Sequence, residues 1–245
     1  MQAALAHPKM QLAGAIVHEP ELLGKDVGEL LQTQPLGVAA THLLGTDFAV
    51  ADAVIDFTLP QALPALLEKV TAAGIPLVTG TTGLEAGLQQ QVAQSAKKIP
   101  IVQSFNMSLG VNLLAALVEQ AAQALGDDFD IEINELHHKH KKDAPSGTAK
   151  LLAQAAAKAR GVKLEEVAAI DRNGERKTGD IGFSVLRGGG VIGDHTVMFL
   201  GDNERLELTH RGHNRRIYAD GALKAAAWLQ GKPAGLYSMR DVLGI

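Results

Sequence analysis

The sequence predicts an α/β protein, in which a Rossmann-like parallel sheet is combined with a second, α+β domain on a mixed sheet. Two observations support this fold class. Between residues 11 and 125, strand-like segments alternate with helical segments, which is typical of parallel βαβ units. After residue 129 this alternation gives way to a strand, a basic loop, a helix and three further strand-like segments.

In the first part of the chain, apolar runs bounded by turn residues define the elements. Residues 1–7 predict the end of a helix that stops at Pro8. Strands are expected at 11–17, 53–57, 76–79 and 100–103, with a further candidate at 36–40, and helices are expected at 60–73, 84–97 and 109–125.

In the second part, residues 129–135 alternate apolar and polar side chains, which predicts a half-buried strand. Ser146 is a good N-cap for the alanine-rich segment 146–160, which favours a helix. Strand-like segments follow at 182–186, 195–200 and 205–209, and a last helix is expected at 217–229.

The composition excludes several classes of protein. With 46% hydrophobic and 20% charged residues the chain has a soluble, globular composition, and its net charge of −4 argues against general nucleic-acid binding. There is no cysteine, which is compatible with a reducing cytosol. No apolar run reaches about 18 residues and no signal peptide is visible, so we expect a cytoplasmic protein with no membrane partner.

One basic segment stands out as a candidate site. Residues 137–143 contain three histidines, three lysines and an aspartate, and they follow the end of a predicted strand. Beyond the turn at Pro145, the amides of Gly147 and Thr148 lie at the start of a predicted helix, which attracts anions. The segment therefore indicates a substrate with carboxylates or phosphates, beside a proton donor.

The same segment, ELHHKHKKDAPSGTA at 135–149, resembles the 4-hydroxy-tetrahydrodipicolinate reductase family, also called dihydrodipicolinate reductase. Four other segments match in order, so the resemblance covers essentially the whole chain: VIDFT at 54–58, GTTG at 80–83, SFNMS at 104–108 and ERLELTH at 204–210. The resemblance implies NAD(P)H-dependent reduction of 4-hydroxy-tetrahydrodipicolinate to tetrahydrodipicolinate, a step in diaminopimelate and lysine biosynthesis.

The resemblance also implies a domain layout. Residues 1–107 and 217–245 would form the dinucleotide-binding domain, and residues 108–216 would form the substrate-binding domain. The second domain would also carry oligomerisation, because the family assembles homotetramers through an apolar surface that we expect on the 180–210 sheet.

Site residues carry over position by position. His137 matches the general acid and Lys141 the catalytic lysine, while His138, Gly147 and Thr148 match positions that bind the small dicarboxylate substrate. From the residues alone, His137 could equally be a histidine at a strand end. Lys141 could be a solvated surface lysine, and its neighbours at 139 and 142 make that choice dependent on the alignment.

Cofactor positions match in four places, and either NADPH or NADH remains open. The turn after the strand at 76–79 supplies Gly80, Thr81 and Thr82, which alone is a weak motif. The remaining matches are Ser104, Phe105, Asn106 and Met107 near the nicotinamide, His18 near the adenosine ribose, and Arg215. Val17 stands where the family has an acidic residue, and Glu19 could serve in that place by a shift of one or two residues. Arg211 and Arg216 are close enough to Arg215 to confuse that assignment.

A metal site built from His137, His138 and His140 is a competing interpretation. No acidic ligand arrangement or H-E-x-x-H spacing supports it, and the surrounding lysines would oppose a divalent cation. We therefore expect no metal.

The sequence departs from the family pattern at its start, where the G-x-x-G-x-M-G loop and the strand before it do not occur. That strand lies in the middle of a Rossmann sheet, so without it the strands at 11–17 and 53–57 are expected to have unpaired edges. We expect the natural protein to begin further upstream. Two alternatives stay open, a different nicotinamide-dependent dehydrogenase of similar layout and a truncated, non-catalytic remnant that binds anions.

Overall fold

The computed structural model describes residues 1–245, and the chain divides into two compact units. The first unit contains Met1–Met107 and Tyr218–Gly244, and the second contains Ser108–Ile217 with Ile245. Each unit has its own sheet system and its own hydrophobic core.

The first unit is built from short parallel strands and the helices between them. Its strands are β1 (Ala15–Ile16), β2 (Ala40–Thr41), β3 (Val54–Asp56), β4 (Leu77–Thr79), β5 (Pro100–Gln103) and a late strand, Gly235–Tyr237. Its helices are α1 (Gln2–Leu5), α2 (Val27–Leu30), α3 (Leu63–Ala73) and α4 (Ala86–Ser95), and two late helices span Arg216–Leu229 and Met239–Leu243.

Helix α3 shows why this part of the sequence folds as it does. Its apolar residues recur at helical spacing, so Leu63, Leu67 and Val70 share one buried face. The face packs into a core that includes Leu77 of β4. The helix ends at Gly74, whose left-handed φ of 72° is a conformation that favours glycine.

The parallel strands of the first unit fall into two separate sheets. Strands β1 and β2 pair only with each other, whereas β3, β4, β5 and the late strand form a four-stranded parallel sheet in which β3 is an edge. The expectation of unpaired edges is confirmed for both β1 and β3. Apolar side chains near these edges are exposed, with Ile16 at 39%, Ile55 at 37% and Phe57 at 52%.

The second unit contains one continuous five-stranded sheet. Its elements are α5 (Leu109–Leu125), β6 (Asp130–His137), α6 (Gly147–Ala159), α7 (Leu164–Val167), β7 (Ala168–Ala169), β8 (Ile181–Arg187), β9 (Gly193–Leu200) and β10 (Arg205–Gly212). The strand order is β10-β9-β6-β8-β7, with β6 parallel to β8 and antiparallel to β9. With the late elements numbered in chain order, Arg216–Leu229 is α8, Gly235–Tyr237 is β11 and Met239–Leu243 is α9.

One face of the five-stranded sheet is covered by α5 and α6. Ile131 and Ile133 of β6 and Phe199 of β9 are fully buried there, together with Val118 of α5 and Leu152 of α6. By length and composition alone the segment Leu109–Asp128, with mean hydropathy 1.2, could also cross a membrane. Core helices of soluble proteins pass the same test, and the buried side of α5 packs as a core helix does.

The predicted fold class is confirmed, since the structure combines parallel sheets with a mixed sheet. Helix α5 has the predicted bounds, and most other elements differ by a few residues. The sequence analysis did not predict α2, α7, β7, β11 or α9, all of which are only two to five residues long.

Candidate active site

Strand β6 carries the candidate acid to the end of the five-stranded sheet. Its buried positions alternate, so Ile131, Ile133, Glu135 and His137 point to the same face. The first two belong to the core, while the last two are polar. The helix-covered face of the sheet therefore becomes a polar site at the carboxyl end of β6.

Glu135 is the centre of this polar site and is 1% exposed. Both carboxylate oxygens lie 3.2 Å from the donating amide of Ser146, and Oε1 also accepts a hydrogen bond from Nη2 of Arg187 at 3.1 Å. Its Oε2 is 3.5 Å from Nδ1 of His137 and 3.7 Å from Nε2 of His195. A buried carboxylate is thus surrounded by donors, as burial of a charge requires.

His137 lies against His195, with ring centroids 5.0 Å apart and an edge-to-face geometry. Burial lowers the pKa of His137, and the negative charge of Glu135 opposes that change. Burial, followed by the charge of His137, lowers the pKa of His195 to about 4. His195 is therefore neutral at pH 7, and its Nε2 lies 3.2 Å from the Ser146 hydroxyl.

The basic loop after β6 contributes Lys141 and His138. Nζ of Lys141 donates to Oδ1 of Asp143 at 2.8 Å, and this hydrogen bond lowers the pKa of the Asp143 carboxyl. His138 is half-buried, and its Nε2 lies 3.4 Å from Nη2 of Arg215. Arg215, which was predicted to bind the cofactor, therefore lies next to His138, which was predicted to bind substrate.

Helix α6 begins beside this loop. The Ser146 hydroxyl accepts a hydrogen bond from the Ala149 amide at 3.1 Å, so Ser146 is the N-cap, as predicted. Gly147 is exposed and Thr148 is half-buried at the first two helical positions. A helix N-terminus with nearby lysines attracts an anionic group, so the geometry fits a carboxylate.

The turn at 80–82 in the first unit is held by a buried aspartate, Asp56. Its carboxylate accepts hydrogen bonds from the Thr58 amide and hydroxyl and from the hydroxyls of Thr79 and Thr81, at 2.6 to 2.9 Å. A Cβ on Gly80 would lie 2.5 Å from the ring of Phe57, so any other residue there would have to displace this half-exposed ring.

The segment 104–107 follows β5 in the first unit. Ser104 donates its hydroxyl to the Asn106 carbonyl at 2.8 Å, and the Phe105 side chain is 59% exposed. Met107 is only 1% exposed, and a Cβ on Gly221 would lie 1.7 Å from its carbonyl oxygen. Met107 therefore lies in the interior of the first unit, close against Gly221 of α8. His18 and Thr82 are exposed.

The structure groups the predicted residues unevenly. His137, His138, Lys141, Gly147, Thr148 and Arg215 belong to the second unit, and the other predicted cofactor residues belong to the first. Three residues of this site, Glu135, Arg187 and His195, were not predicted from the sequence. The alternation in 129–135 was a usable signal for Glu135, whereas His195 becomes its neighbour only through the β6–β9 register, which pairs Glu135 with His195.

The same cluster could be mistaken for a metal site, since ligand atoms of Glu135, His137 and His195 lie within 4.8 Å of one another. Neither His138 nor His140 belongs to it. Arg187 and the Ser146 amide already occupy the carboxylate, and the Arg187 cation would repel a divalent ion. We assign no metal to these residues.

Comparison with known families covers almost the whole chain. The model described as "Dihydrodipicolinate reductase, N-terminus" matches residues 1–107, and the model described as "Dihydrodipicolinate reductase, C-terminus" matches residues 110–243. A 4-hydroxy-tetrahydrodipicolinate reductase of Parvibaculum lavamentivorans is 53% identical over 241 residues, covering 96% of this chain and 89% of the relative. Another, of Anaeromyxobacter dehalogenans, is 48% identical and covers 98% and 90%.

Solved structures agree on the fold. A dipicolinate-bound dihydrodipicolinate reductase from Paenisporosarcina sp. TG-14 superposes with a TM-score of 0.75 at 24% identity, covering 97% of this chain and 91% of that one. A probable dehydrogenase from Thermotoga maritima gives 0.58 at 12% identity, covering 98% and 87%. The resemblance found in the sequence is confirmed, and the chain belongs to the dihydrodipicolinate reductase family.

Proposed function

We propose that this chain catalyses the NAD(P)H-dependent reduction of 4-hydroxy-tetrahydrodipicolinate to tetrahydrodipicolinate in diaminopimelate and lysine biosynthesis. The observation that carries the proposal is the end of β6, where a buried imidazole, His137, lies close to a basic loop and a helix N-terminus. The relatives that are about half identical over nearly the full chain carry the name of this activity.

The substrate is a ring with two carboxylates, and we assign its binding to the second unit. The start of α6, at Gly147 and Thr148, offers amides to one carboxylate, and Lys141 offers a cation. His138 lies at the same loop, beside Arg215. A dipicolinate-bound relative supports a diacid as the ligand.

Lys141 has to leave its present partner to act in this way. Its ammonium group now bonds to the Asp143 carboxylate, which is 62% exposed. An exposed ion pair is worth only about 0–1 kcal/mol, so a substrate carboxylate can replace Asp143 at little cost. The Asp143 pair then keeps the lysine side chain ordered between turnovers.

In the proposed reaction 4-hydroxy-tetrahydrodipicolinate first loses its hydroxyl as water. A reduced nicotinamide, when bound, supplies a hydride to the conjugated carbon–carbon and carbon–nitrogen system of the dehydrated ring. The electron-rich product takes up one proton, which His137 donates. Lys141 stabilises the negative charge that develops during hydride addition. Each turnover thus consumes one hydride and one proton and releases one water, and solvent reprotonates His137.

Residues of the first unit fit a nicotinamide dinucleotide. Gly80, Thr81 and Thr82 follow a parallel strand at its carboxyl end, where such sheets bind ligands. The four hydrogen bonds to Asp56 fix this turn, and the exposed Phe105 follows the neighbouring strand. We propose that these residues of the first unit hold NADPH or NADH together with Ser104, Asn106, Met107 and His18.

The uncovered face of the second sheet supports a homotetramer. Leu136 of β6 pairs directly with Leu186 of β8 on that face, and Leu186 is 50% exposed. Met198 and Leu200 of β9 alternate with the buried residues and lie on the same side. We propose that four copies assemble here in the cytoplasm, and sedimentation equilibrium tests the mass.

The direct test replaces His137 with glutamine. We expect kcat of His137→Gln to fall by about 100-fold, the usual contribution of a general acid, with KM changed by less than about threefold. His140→Gln is the matched control, because His140 is an exposed histidine of the same loop and should retain full activity.

A fully active His137→Gln enzyme would contradict the proposal. A substrate panel adds a second outcome. Turnover of other carbonyl or amino-acid substrates, with none of 4-hydroxy-tetrahydrodipicolinate, would favour a different nicotinamide-dependent dehydrogenase.

A further inference from the structure

A buried carboxylate with no part in the reaction described above lies beside the proton donor. Glu135 is two residues before His137 on β6, and both side chains point to the same face. Its Oε2 lies 3.5 Å from Nδ1 of His137. Burying a carboxylate costs several kcal/mol unless donors surround it, so a glutamate here needs a structural or functional reason.

We propose that Glu135 is a positioning residue that fixes the orientation and the proton-bearing nitrogen of the His137 ring. Arg187 and the Ser146 amide hold the carboxylate in place. The inference rests on the proposed function in one respect, because it takes His137 as the proton donor.

The contacts of the His137 ring support this role. Nδ1 is buried and makes no hydrogen bond, and the Glu135 carboxylate, 3.5 Å away, is the negative charge that faces it. A proton on Nδ1 is therefore stabilised by Glu135, and Nε2 is the nitrogen that gains and loses the second proton. Nε2 lies over Gly193, where a Cβ would come within 3.0 Å, so the missing side chain leaves Nε2 uncovered.

The anchors of Glu135 tie the ring to the substrate-binding elements. Arg187 donates from Nη2 to Oε1 of Glu135 at 3.1 Å and to the carbonyl of Asp143 at 2.7 Å. The Ser146 amide belongs to the N-cap of α6. One carboxylate thus connects the imidazole to both the basic loop and the helix N-terminus.

The charges around His137 act in opposite directions. Burial lowers its pKa most, the carboxylates of Glu135 and Asp143 raise it, and the cations Lys141 and Arg187 lower it. From β9, His195 contributes a ring that stays neutral above about pH 4. Glu135 is the closest negative charge, so its removal should make His137 easier to deprotonate.

The experiment compares Glu135→Gln with Glu132→Gln in the full-length chain. Glu132 lies on the same strand but on the opposite face, where it pairs with Arg172 and Arg176. Glu132→Gln therefore removes one negative charge from β6, as Glu135→Gln does, but at a position that does not face the His137 imidazole. Two readouts are recorded, the pH dependence of kcat/KM and the NMR titration of the His137 ring. The NMR signal of His137 is identified as the one that is absent from the spectrum of His137→Gln.

In Glu135→Gln the His137 titration and the high-pH limb of kcat/KM should both move down by about one pH unit, and kcat should fall by about tenfold. Glu132→Gln should match the wild type in both readouts. A purely structural role would lower the yield or the melting temperature of Glu135→Gln and leave the His137 titration unchanged, and that result would overturn the inference.

Arg187→Gln is the second variant, for the case in which Glu135→Gln does not fold. Removal of this cation should move the His137 titration upward, and no movement or a downward one would also overturn the inference. The NMR readout needs no activity. If His137→Gln proves fully active, the proposed function fails while the titration still decides the role of Glu135.

Discussion

The two sheet systems of this chain differ in continuity. In the second unit, five strands from β10 to β7 are joined without interruption, and the central positions Ile131, Ile133 and Val197 have no exposed surface. In the first unit, six strands are divided between two sheets, and Ile16 and Ile55 are more than one-third exposed. The single sheet of the second unit therefore has two edge strands, β10 and β7, whereas the two sheets of the first unit have four.

Side-chain hydrogen bonds hold the site residues in place in both units, whether or not the sheet beside them is continuous. Glu135 lies on the central strand of a complete sheet, whereas Asp56 lies on an edge strand. Both carboxylates are nevertheless 1–2% exposed and accept several hydrogen bonds each. Side-chain hydrogen bonds can hold a turn even where the strand beside it is paired on one side only.

The largest expected effect tests the difference between the two cores. Ile133→Ala should destabilise the second unit by about 3 kcal/mol, because it removes a fully buried side chain from a packed core. Ile55→Ala, at a partly exposed edge, should cost less than about 1 kcal/mol. Urea unfolding of both variants measures the loss in free energy of unfolding. Equal losses in the two variants would show that the two cores do not differ in this way.

A smaller effect tests the anchoring of the turn at 80–82. Asp56→Ala leaves the buried hydroxyls of Thr79 and Thr81 without their carboxylate acceptor, which costs about 1–3 kcal/mol. Binding of NADPH, followed by nicotinamide fluorescence, should weaken as the turn loosens. Asp52→Ala, at an exposed position of the same unit, is the control and should bind as the wild type does.

A pH-dependent effect concerns the second unit alone. His195 has a folded pKa of about 4, below its ordinary value of 6.5, so the unfolded chain binds more protons between these values. Stability should therefore be highest above about pH 6.5 and fall as the pH drops toward 4, with a slope of at most about 1.4 kcal/mol per pH unit from this group. His195→Gln should flatten that slope in unfolding experiments, and an unchanged slope would rule out this contribution.

The sequence predicts the strongly periodic elements well, and it predicts the short ones poorly. Helix α5 has the predicted bounds because seventeen residues of helical periodicity lie between the N-cap Ser108 and Gly126. Strand β1 was expected at 11–17 and spans only Ala15–Ile16, since it pairs with a two-residue partner. Strand β11 has three residues and forms through its register with β5, which no local pattern specifies.

In the candidate site, residues that are close in sequence could be predicted to lie together, whereas residues brought together by strand pairing could not. The basic loop and the N-cap Ser146 are consecutive in sequence, so their proximity follows from one strand, one turn and one helix. Arg187 and His195 approach Glu135 only because β8 and β9 flank β6. The register of β6 with β8 and β9, whose paired residues lie fifty or more positions away in the chain, cannot be deduced from residue patterns.

The central claim is that the second unit separates diacid binding, by Lys141 and the start of α6, from proton donation by His137. Dipicolinate, the ligand named for a related structure, allows a direct measurement as an inhibitor against 4-hydroxy-tetrahydrodipicolinate. We expect Lys141→Ala to weaken its inhibition constant at least about tenfold, the loss of one charge-assisted bond, with Lys142→Ala as the exposed control. His137→Gln should stay within about twofold of the wild type. Equal inhibition constants for Lys141→Ala and the wild type would contradict the claim.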